Sequence, residues 1–438
     1  MVANDLWERF GALQWSELPA PVQQVVRQCL LDWTGCTIAG ASEPLAEILR
    51  EELCEEAGDS GPCSLPGTDL RAGPMTAALI NGATSHALDF DDTNTIMGGH
   101  PSAPVIPAAL AYAEKYGCSG EDLLAAIVTG IEIECRLGLL IGNAHYRRGW
   151  HVTSTLGVFG AMSAVARLMQ SDAETYGRAF GLAASQASGV KSNFGTMTKP
   201  FHAGHAAERG YLCARLAARG FTANPGSFED SQGLVEAASA GELKTEALAV
   251  LDEAWLTTHT LFKYNAACYL THATIEAIKS LGKVGSQDCE GMTLVVHPSL
   301  LNVCAIPEPV TGLEAKFSLA ANAALTVLGH DTTDPATYVD QVVNEPAVQS
   351  LLRRVSVETD ASLAGTQTRV HYQTAAGAVE EAFFDTGIPA TDLNDQSAKL
   401  ELKFSHLVTP TLQDRTATLK QLIEQVPYRA SMTGWSDL

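Results

Sequence analysis

The chain has 438 residues, with 28 Lys and Arg against 50 Asp and Glu, giving a formal net charge of −22. That balance excludes the clustered cations on which nucleic-acid binding depends, and an anionic membrane surface is excluded on the same ground. Hydrophobic residues make up 46% and charged residues only 18%, against roughly 25% charged in a typical soluble protein, which excludes disorder and predicts a substantial core.

Helical patterns fill the first part of the chain. In Pro21 to Trp33, Val22, Val25, Val26, Cys29, Leu30 and Trp33 form one apolar helical face. Further helices are predicted over Pro44–Gly58, Pro74–Leu88, Pro104–Tyr116, Ser119–Gly142, Thr153–Met169, Ala173–Ser188 and His202–Arg219. Ser119 and Asp172 stand as N-caps ahead of acidic first turns. Many of these helices are rich in Ala and Gly, which permits close approach, and no strand pattern interrupts them. The most apolar stretch, Leu123 to Gly142, carries Glu132, Glu134 and Arg136, so it reads as a buried helix and not a membrane span.

Beyond Lys263 the texture changes. Met292 to His297, Arg354 to Glu358, Thr368 to Tyr372 and Val379 to Phe384 read as strands, and Glu314 to Leu328 and Pro346 to Arg353 as helices. Asp395 to Phe404 and Leu412 to Val426 return to helix. The expected fold is therefore mainly α: a large all-helical domain from residues 1–262 and 393–438, with a smaller α+β lid over residues 263–392. The first residues lack the basic-then-apolar order of a signal peptide. The 10 cysteines include no CxxC pair and read as free thiols in a reducing compartment, so the cytoplasm is the expected address.

Four polar clusters could carry chemistry. Ser85-His86-Ala87-Leu88-Asp89-Phe90-Asp91-Asp92-Thr93 precedes Gly98-Gly99-His100-Pro101-Ser102. This reads as a helix end and an acidic turn, or as a carboxylate site of the kind that suits Mg²⁺. His145-Tyr146-Arg147-Arg148-Gly149-Trp150-His151 concentrates basic groups in what is otherwise a solvated loop. Asn193 to His205 places Lys199 in extended backbone before Pro200, with His202 and His205 on the helix that follows; zinc would need further ligands that are not visible. Phe262-Lys263 with Cys268 and His272 stands at the junction of the helical and mixed regions, where pockets favour domain boundaries.

Together these segments resemble the MmgE/PrpD family. The matching pieces are Asp89-Phe90-Asp91-Asp92-Thr93 with His100-Pro101-Ser102, Gly149-Trp150-His151 with Leu156-Gly157, Gly195 to Pro200, Phe262-Lys263 with Thr271-His272, and Glu314-Ala315-Lys316-Phe317-Ser318. The family includes 2-methylcitrate dehydratase, cis-aconitate decarboxylase and iminodisuccinate epimerase, which act on small polycarboxylates. The resemblance implies no cofactor, no metal, a small polycarboxylate substrate and a homodimer.

Removing a proton beside a carboxylate creates an enediolate-like dianion, which needs a positioned base and concentrated positive charge. The resemblance places Lys199 and His151 in proton transfer, with Tyr146 a third partner and Asp89 orienting a basic group. Thr93, His100 and Lys263 would hold substrate carboxylates, with His202, Cys268 and His272 beside them. The chain departs from the decarboxylase members at Cys268, where they carry a histidine. It also lacks their tyrosine around Asn302 to Ile306. The reading is a lyase of the dehydratase kind or an epimerase. A decarboxylase and a non-catalytic helical anion-binding scaffold are the alternatives. With so few cations to distribute, Lys199, Lys263, His100 and His151, joined by Arg147 or Arg148, are expected to form an electropositive island.

Overall fold

Pro19 and Pro21 open a helix, Ala20–Gly40, in which nearly every side chain from Val25 onward is buried. Prolines fit there because the first helical turn has no internal partners for its N–H groups. This helix is long because a second one covers it. In the computed structural model, which describes residues 1–57, 60–239, 241, 243–246, 254–304 and 306–435, the C-terminal helix Leu393–Leu412 lies along it. Gln28 Nε2 donates to Leu393 O (2.9 Å) and to Ser397 Oγ (2.8 Å), and Lys403 Nζ reaches Asp32 Oδ1 at 2.5 Å. The two predicted C-terminal segments thus begin as a single helix through Leu412. The unbroken apolar face of Leu400, Phe404, Leu407 and Val408 keeps it running, and Thr416–Glu424 follows.

The small-residue helices pack as closely as their composition allows. Pro74–Ser85 crosses Thr198–Ala217 at Gly82 and Gly204. A Cβ on Gly204 would sit 2.2 Å from Leu79 O, so only glycine permits this approach. Ser119 caps Gly120–Arg147 by accepting from Asp122 N (3.1 Å). Its helical course breaks at Gly142 (φ 62°, ψ −176°) and resumes to Arg147, five residues beyond the predicted end. The predicted Thr153–Met169 helix is two, Val152–Thr155 and Gly157–Leu168. Gly58, the expected end of the helix observed over Pro44–Ala57, lies outside the described residues.

Two short strands, β1 (Cys63–Ser64) and β2 (Arg71–Ala72), pair antiparallel where no strand was expected; two residues are too few to leave a pattern. The predicted strands of the mixed region all form: β3 (Cys289–Val296), β4 (Val355–Thr359), β5 (Gln367–Thr374) and β6 (Val379–Asp385). Their order is β4-β3-β5-β6, with β3 parallel to β4 and antiparallel to β5. The helices Tyr269–Ser280 and Leu319–Leu328 pack against this sheet. Glu314 to Leu328 is interrupted: Gly312–Ala315 ends, and Ser318 caps the next helix by accepting from Ala321 N. Lys316 and Phe317 are left in the gap. Among the described residues no helix is long and apolar enough to cross a membrane.

Candidate active site

The acidic turn after Pro74–Ser85 is the centre of the arrangement. Asp89 adopts φ 51°, a left-handed conformation that Asp tolerates better than most residues. Its carboxylate and its carbonyl both accept from one lysine: Lys263 Nζ lies 2.8 Å from Asp89 Oδ1 and 2.7 Å from Asp89 O. Lys199 Nζ reaches the same Oδ1 at 2.7 Å. Two ammonium groups, distant in sequence, thus share one buried carboxylate oxygen.

Local structure explains each arrival. Lys199 occupies the second position of Thr198–Ala217 and not the extended backbone expected before Pro200. Pro200 falls in the first turn, where no N–H is required. The Gly82–Gly204 crossing brings that turn to the end of Pro74–Ser85. Lys263 is delivered by a bridge in which Thr93 N donates to Leu261 O (2.8 Å) and Leu261 N to Thr93 O (2.7 Å). Thr93 therefore pins the site through its backbone, and its hydroxyl donates to Gly99 O. Lys316 enters from the gap before Leu319, donating to Leu88 O at 2.7 Å. Phe194 and Phe317 wall Lys199, with ring centres 5.5 and 5.3 Å from its Nζ.

Histidines form a second layer. His86 Nδ1 bonds Asp91 Oδ1 at 2.8 Å, and His100 Nδ1 donates to Asp92 O at 2.7 Å. The other ring nitrogen of His100 faces Asp89 Oδ1 at 3.9 Å. His151 and His202 meet Nδ1 to Nδ1 at 3.1 Å. Burial, followed by the charge of Lys199, holds His151 well below the usual imidazole range, and burial lowers His202 to about 4. Both rings are then neutral at pH 7, and their bond requires opposite tautomers, one donating and one accepting.

The electrostatics concentrate on Asp89. Burial by itself would raise its pKa, but Lys199 and Lys263 outweigh it and hold the carboxyl well below the carboxylate range. Burial works against the charge on Lys263 as well, and Asp89 and Asp91 overcome it, raising its pKa. Among the described residues Lys316 has no carboxylate within bonding distance, and burial lowers it to about 8. Tyr146 is pushed up by burial, then by Cys268, Cys304 and Asp89, so its phenol stays protonated.

The arrangement corrects the expected island in two respects. Lys199, Lys263, His100 and His151 do converge, but around carboxylates and not in a purely positive cluster. Arg147 and Arg148 are exposed, with long polar side chains free to stay in water. His272 is buried on Tyr269–Ser280 and bonds Ala267 O within its own turn at 3.2 Å. His205, three residues after His202, turns to Ser188 Oγ (3.5 Å) instead. Cys268 touches Cys304, Sγ to Sγ 3.4 Å.

His86 and Asp91 lie in a polar cluster legible in the sequence but without an individual role there, and nothing in the sequence marks Lys316 or the Asp32–Lys403 pair as functional groups. Three carboxylates within four residues were themselves a signal that buried cations had to arrive from elsewhere. His86, Asp89, Asp91 and His100 also bring metal-ligand atoms within 4.8 Å of one another. Asp89 Oδ1 is taken by Lys199 and Lys263, and one ring nitrogen each of His86 and His100 by Asp91 and Asp92 O, whereas His86 Nε2, Asp89 Oδ2 and Asp91 Oδ2 have no hydrogen-bond partner among the described residues. A divalent ion there would share Asp89 with the ammonium groups of Lys199 and Lys263, whose charge would oppose it.

Comparison with known proteins agrees with the motifs. Residues 6–246 match the MmgE/PrpD N-terminal domain and residues 265–426 the MmgE/PrpD C-terminal domain. The chain is 29% identical over 382 residues to the cis-aconitate decarboxylase of Aspergillus terreus, covering 81% of this chain and 78% of that one. Likeness to the human cis-aconitate decarboxylase is 28% over 376 residues, 82% and 77% of the two chains. A cis-aconitate decarboxylase-like protein of Aspergillus oryzae is 30% identical over 296 residues, 64% of this chain and 61% of its own length. With both domains matched in order around the lysine-clamped aspartate, the chain belongs to the MmgE/PrpD family.

Proposed function

We propose that this protein is a cofactor-independent enzyme that removes a proton alpha to a carboxylate of a small di- or tricarboxylate. The observation that carries the reading is the sharing of Asp89 Oδ1 by Lys199 and Lys263 at 2.7 and 2.8 Å. A substrate carboxylate drawn toward those ammonium groups becomes a better carbon acid, because positive charge sits where the enediolate charge develops. Lys199, with its Nζ between two phenyl rings and one carboxylate, is the proton carrier: having passed its ammonium proton to water, it takes the α-proton on the free amine, while Lys263 keeps its charge beside the enediolate. As the C–H bond breaks, its electron pair moves into the enediolate. In the dehydratase form that pair expels the β-hydroxyl, which leaves as water after taking a proton. In the epimerase form a proton returns to the opposite face, and Tyr146, whose phenol keeps its proton, supplies it.

Decarboxylation of cis-aconitate is the second reading, favoured by the names of the relatives. Against it stand the two departures from the decarboxylase pattern, at Cys268 and in the segment carrying Cys304. These lie side by side at 3.4 Å, so one patch of the site is remade. Incubating a panel of small polycarboxylates, cis-aconitate included, in D₂O and following the α-proton by NMR separates the readings. Exchange with water loss identifies a dehydratase, exchange with inversion an epimerase, and release of CO₂ a decarboxylase. No exchange and no product with any substrate overturns the enzyme reading in favour of an anion-binding scaffold.

A further inference from the structure

Cys268 and Cys304 are brought together by backbone hydrogen bonds to one short segment. Cys268 N donates to Lys316 O (3.0 Å), and Leu319 N donates to Cys304 O (3.0 Å), so the two cysteines are strapped to opposite ends of the same four-residue segment. Cys304 N is itself fixed to Leu300 O at 2.8 Å. The result is a sulfur–sulfur contact of 3.4 Å with Cys304 donating to Cys268. A disulfide needs about 2.05 Å, so closure asks for roughly 1.4 Å of sulfur movement, within what side-chain rotation supplies.

The two thiols are not equivalent. Cys268 caps the 12-residue helix Tyr269–Ser280, whose N-terminus favours negative charge. The hydrogen bond from Cys304, helped by Lys263 and Lys199, lowers the pKa of Cys268 against burial and Asp89, which act to raise it. Cys304 is driven up by burial. One sulfur is thus placed as attacking thiolate and the other as the resolving thiol. Cys304 lines a cavity of about 380 Å³ with Ile306, Glu308, Leu319, Arg353 and Val355, and Cys268, in contact with it, keeps 9% exposure.

We propose that Cys268 and Cys304 are a modification site, a vicinal dithiol that hydroperoxides convert to a disulfide. The Cys268 thiolate attacks the peroxide, the O–O bond breaks, and a sulfenic acid forms with loss of one water. The Cys304 sulfur then attacks the Cys268 sulfur, the S–S bond forms, and the sulfenic oxygen leaves as a second water carrying the Cys304 proton. Two thiols lose two electrons and two protons, and hydrogen peroxide accepts both. The proposal rests on the sulfur geometry and stands whatever reaction the site performs.

The full chain, reduced and then titrated with hydrogen peroxide, is alkylated without reductant and mapped by peptide mass. The expected result is a peptide joining Cys268 to Cys304, lighter by two hydrogens, formed at lower peroxide than any modification of the other eight cysteines and undone by a phosphine reductant. In Cys304→Ser the same dose leaves a Cys268 sulfenic acid, trapped by dimedone. Recovery of both residues as alkylated thiols after other cysteines have oxidised overturns the proposal. So does direct passage of Cys268 to sulfinic acid in the unsubstituted chain.

Discussion

Asp32 and Asp89 are both buried aspartates paired with lysine, and they behave in opposite ways. Asp32 meets one cation, Lys403, which divides its hydrogen bonds between Asp32 Oδ1 and Phe90 O. Burial wins, and the carboxyl is raised above its ordinary value despite Lys403. Asp89 meets two, Lys199 and Lys263, and its carboxyl is driven down. The first pair joins the N-terminal helix Ala20–Gly40 to the C-terminal helix Leu393–Leu412. The second holds two positive charges beside one negative, in a backbone conformation uncommon outside glycine. One buried ion pair is a structural tie. The other carries spare charge and backbone strain, features that cluster at functional sites.

The largest expected effect separates the two by chemistry. Lys199→Met should lower α-proton exchange by roughly 10²–10⁴-fold, read by NMR in D₂O, while the circular dichroism spectrum stays unchanged. Lys403→Met should spare exchange per folded molecule. Equal loss in both variants would erase the distinction between site and tie. Next, Asp89→Asn strands two buried ammonium groups and should cost about 3–5 kcal/mol in urea unfolding. Asp32→Asn strands one that keeps Phe90 O, and should cost about 1.5–3 kcal/mol.

The pH dependence sharpens the contrast because the signs differ. Asp89 is depressed, so its stabilisation is present above the unfolded carboxylate value, about 3.9, and is lost as pH falls through its folded value. The deficit of Asp89→Asn should therefore shrink on acidification. Asp32 is raised, so its contribution is full below about 3.9 and is lost as pH rises through the folded value. The gap between the parent and Asp32→Asn should narrow toward alkaline pH, in thermal unfolding followed across the range. Parallel profiles would refute the assignment. The smallest expected effect concerns Asp92, which burial, and then Asp32, push up to about 7. Asp92→Asn should gain stability relative to the parent as pH rises from about 3.9 to about 7 and no further above it, by thermal midpoint.

Much of the site was legible in the chain. Three carboxylates at 89, 91 and 92, with Lys199, Lys263, His100 and His151, stood out because polar residues are scarce among apolar helices. The strands beyond Lys263 were legible from alternation. What escaped were contacts with no local pattern. Lys403 lies more than 300 residues from Phe90 and Asp32 and looks like any charged helix residue until two helices meet. The pairing of His151 with His202, the withdrawal of His205, and the contact of Cys268 with Cys304 likewise depend on how separate elements face one another.

The sequence by itself determined the elements and their kinds. Apolar periodicity decides helix against strand, and small residues decide how close helices come. An acidic composition leaves few cations to place. Only the tertiary structure decided where those cations went. The close crossing at Gly82 and Gly204 and the bridge between Thr93 and Leu261 bring two lysines onto one oxygen. Burial alone would raise that carboxyl, but the two lysines, unscreened in the interior, depress it, where in water they would make only weak contacts.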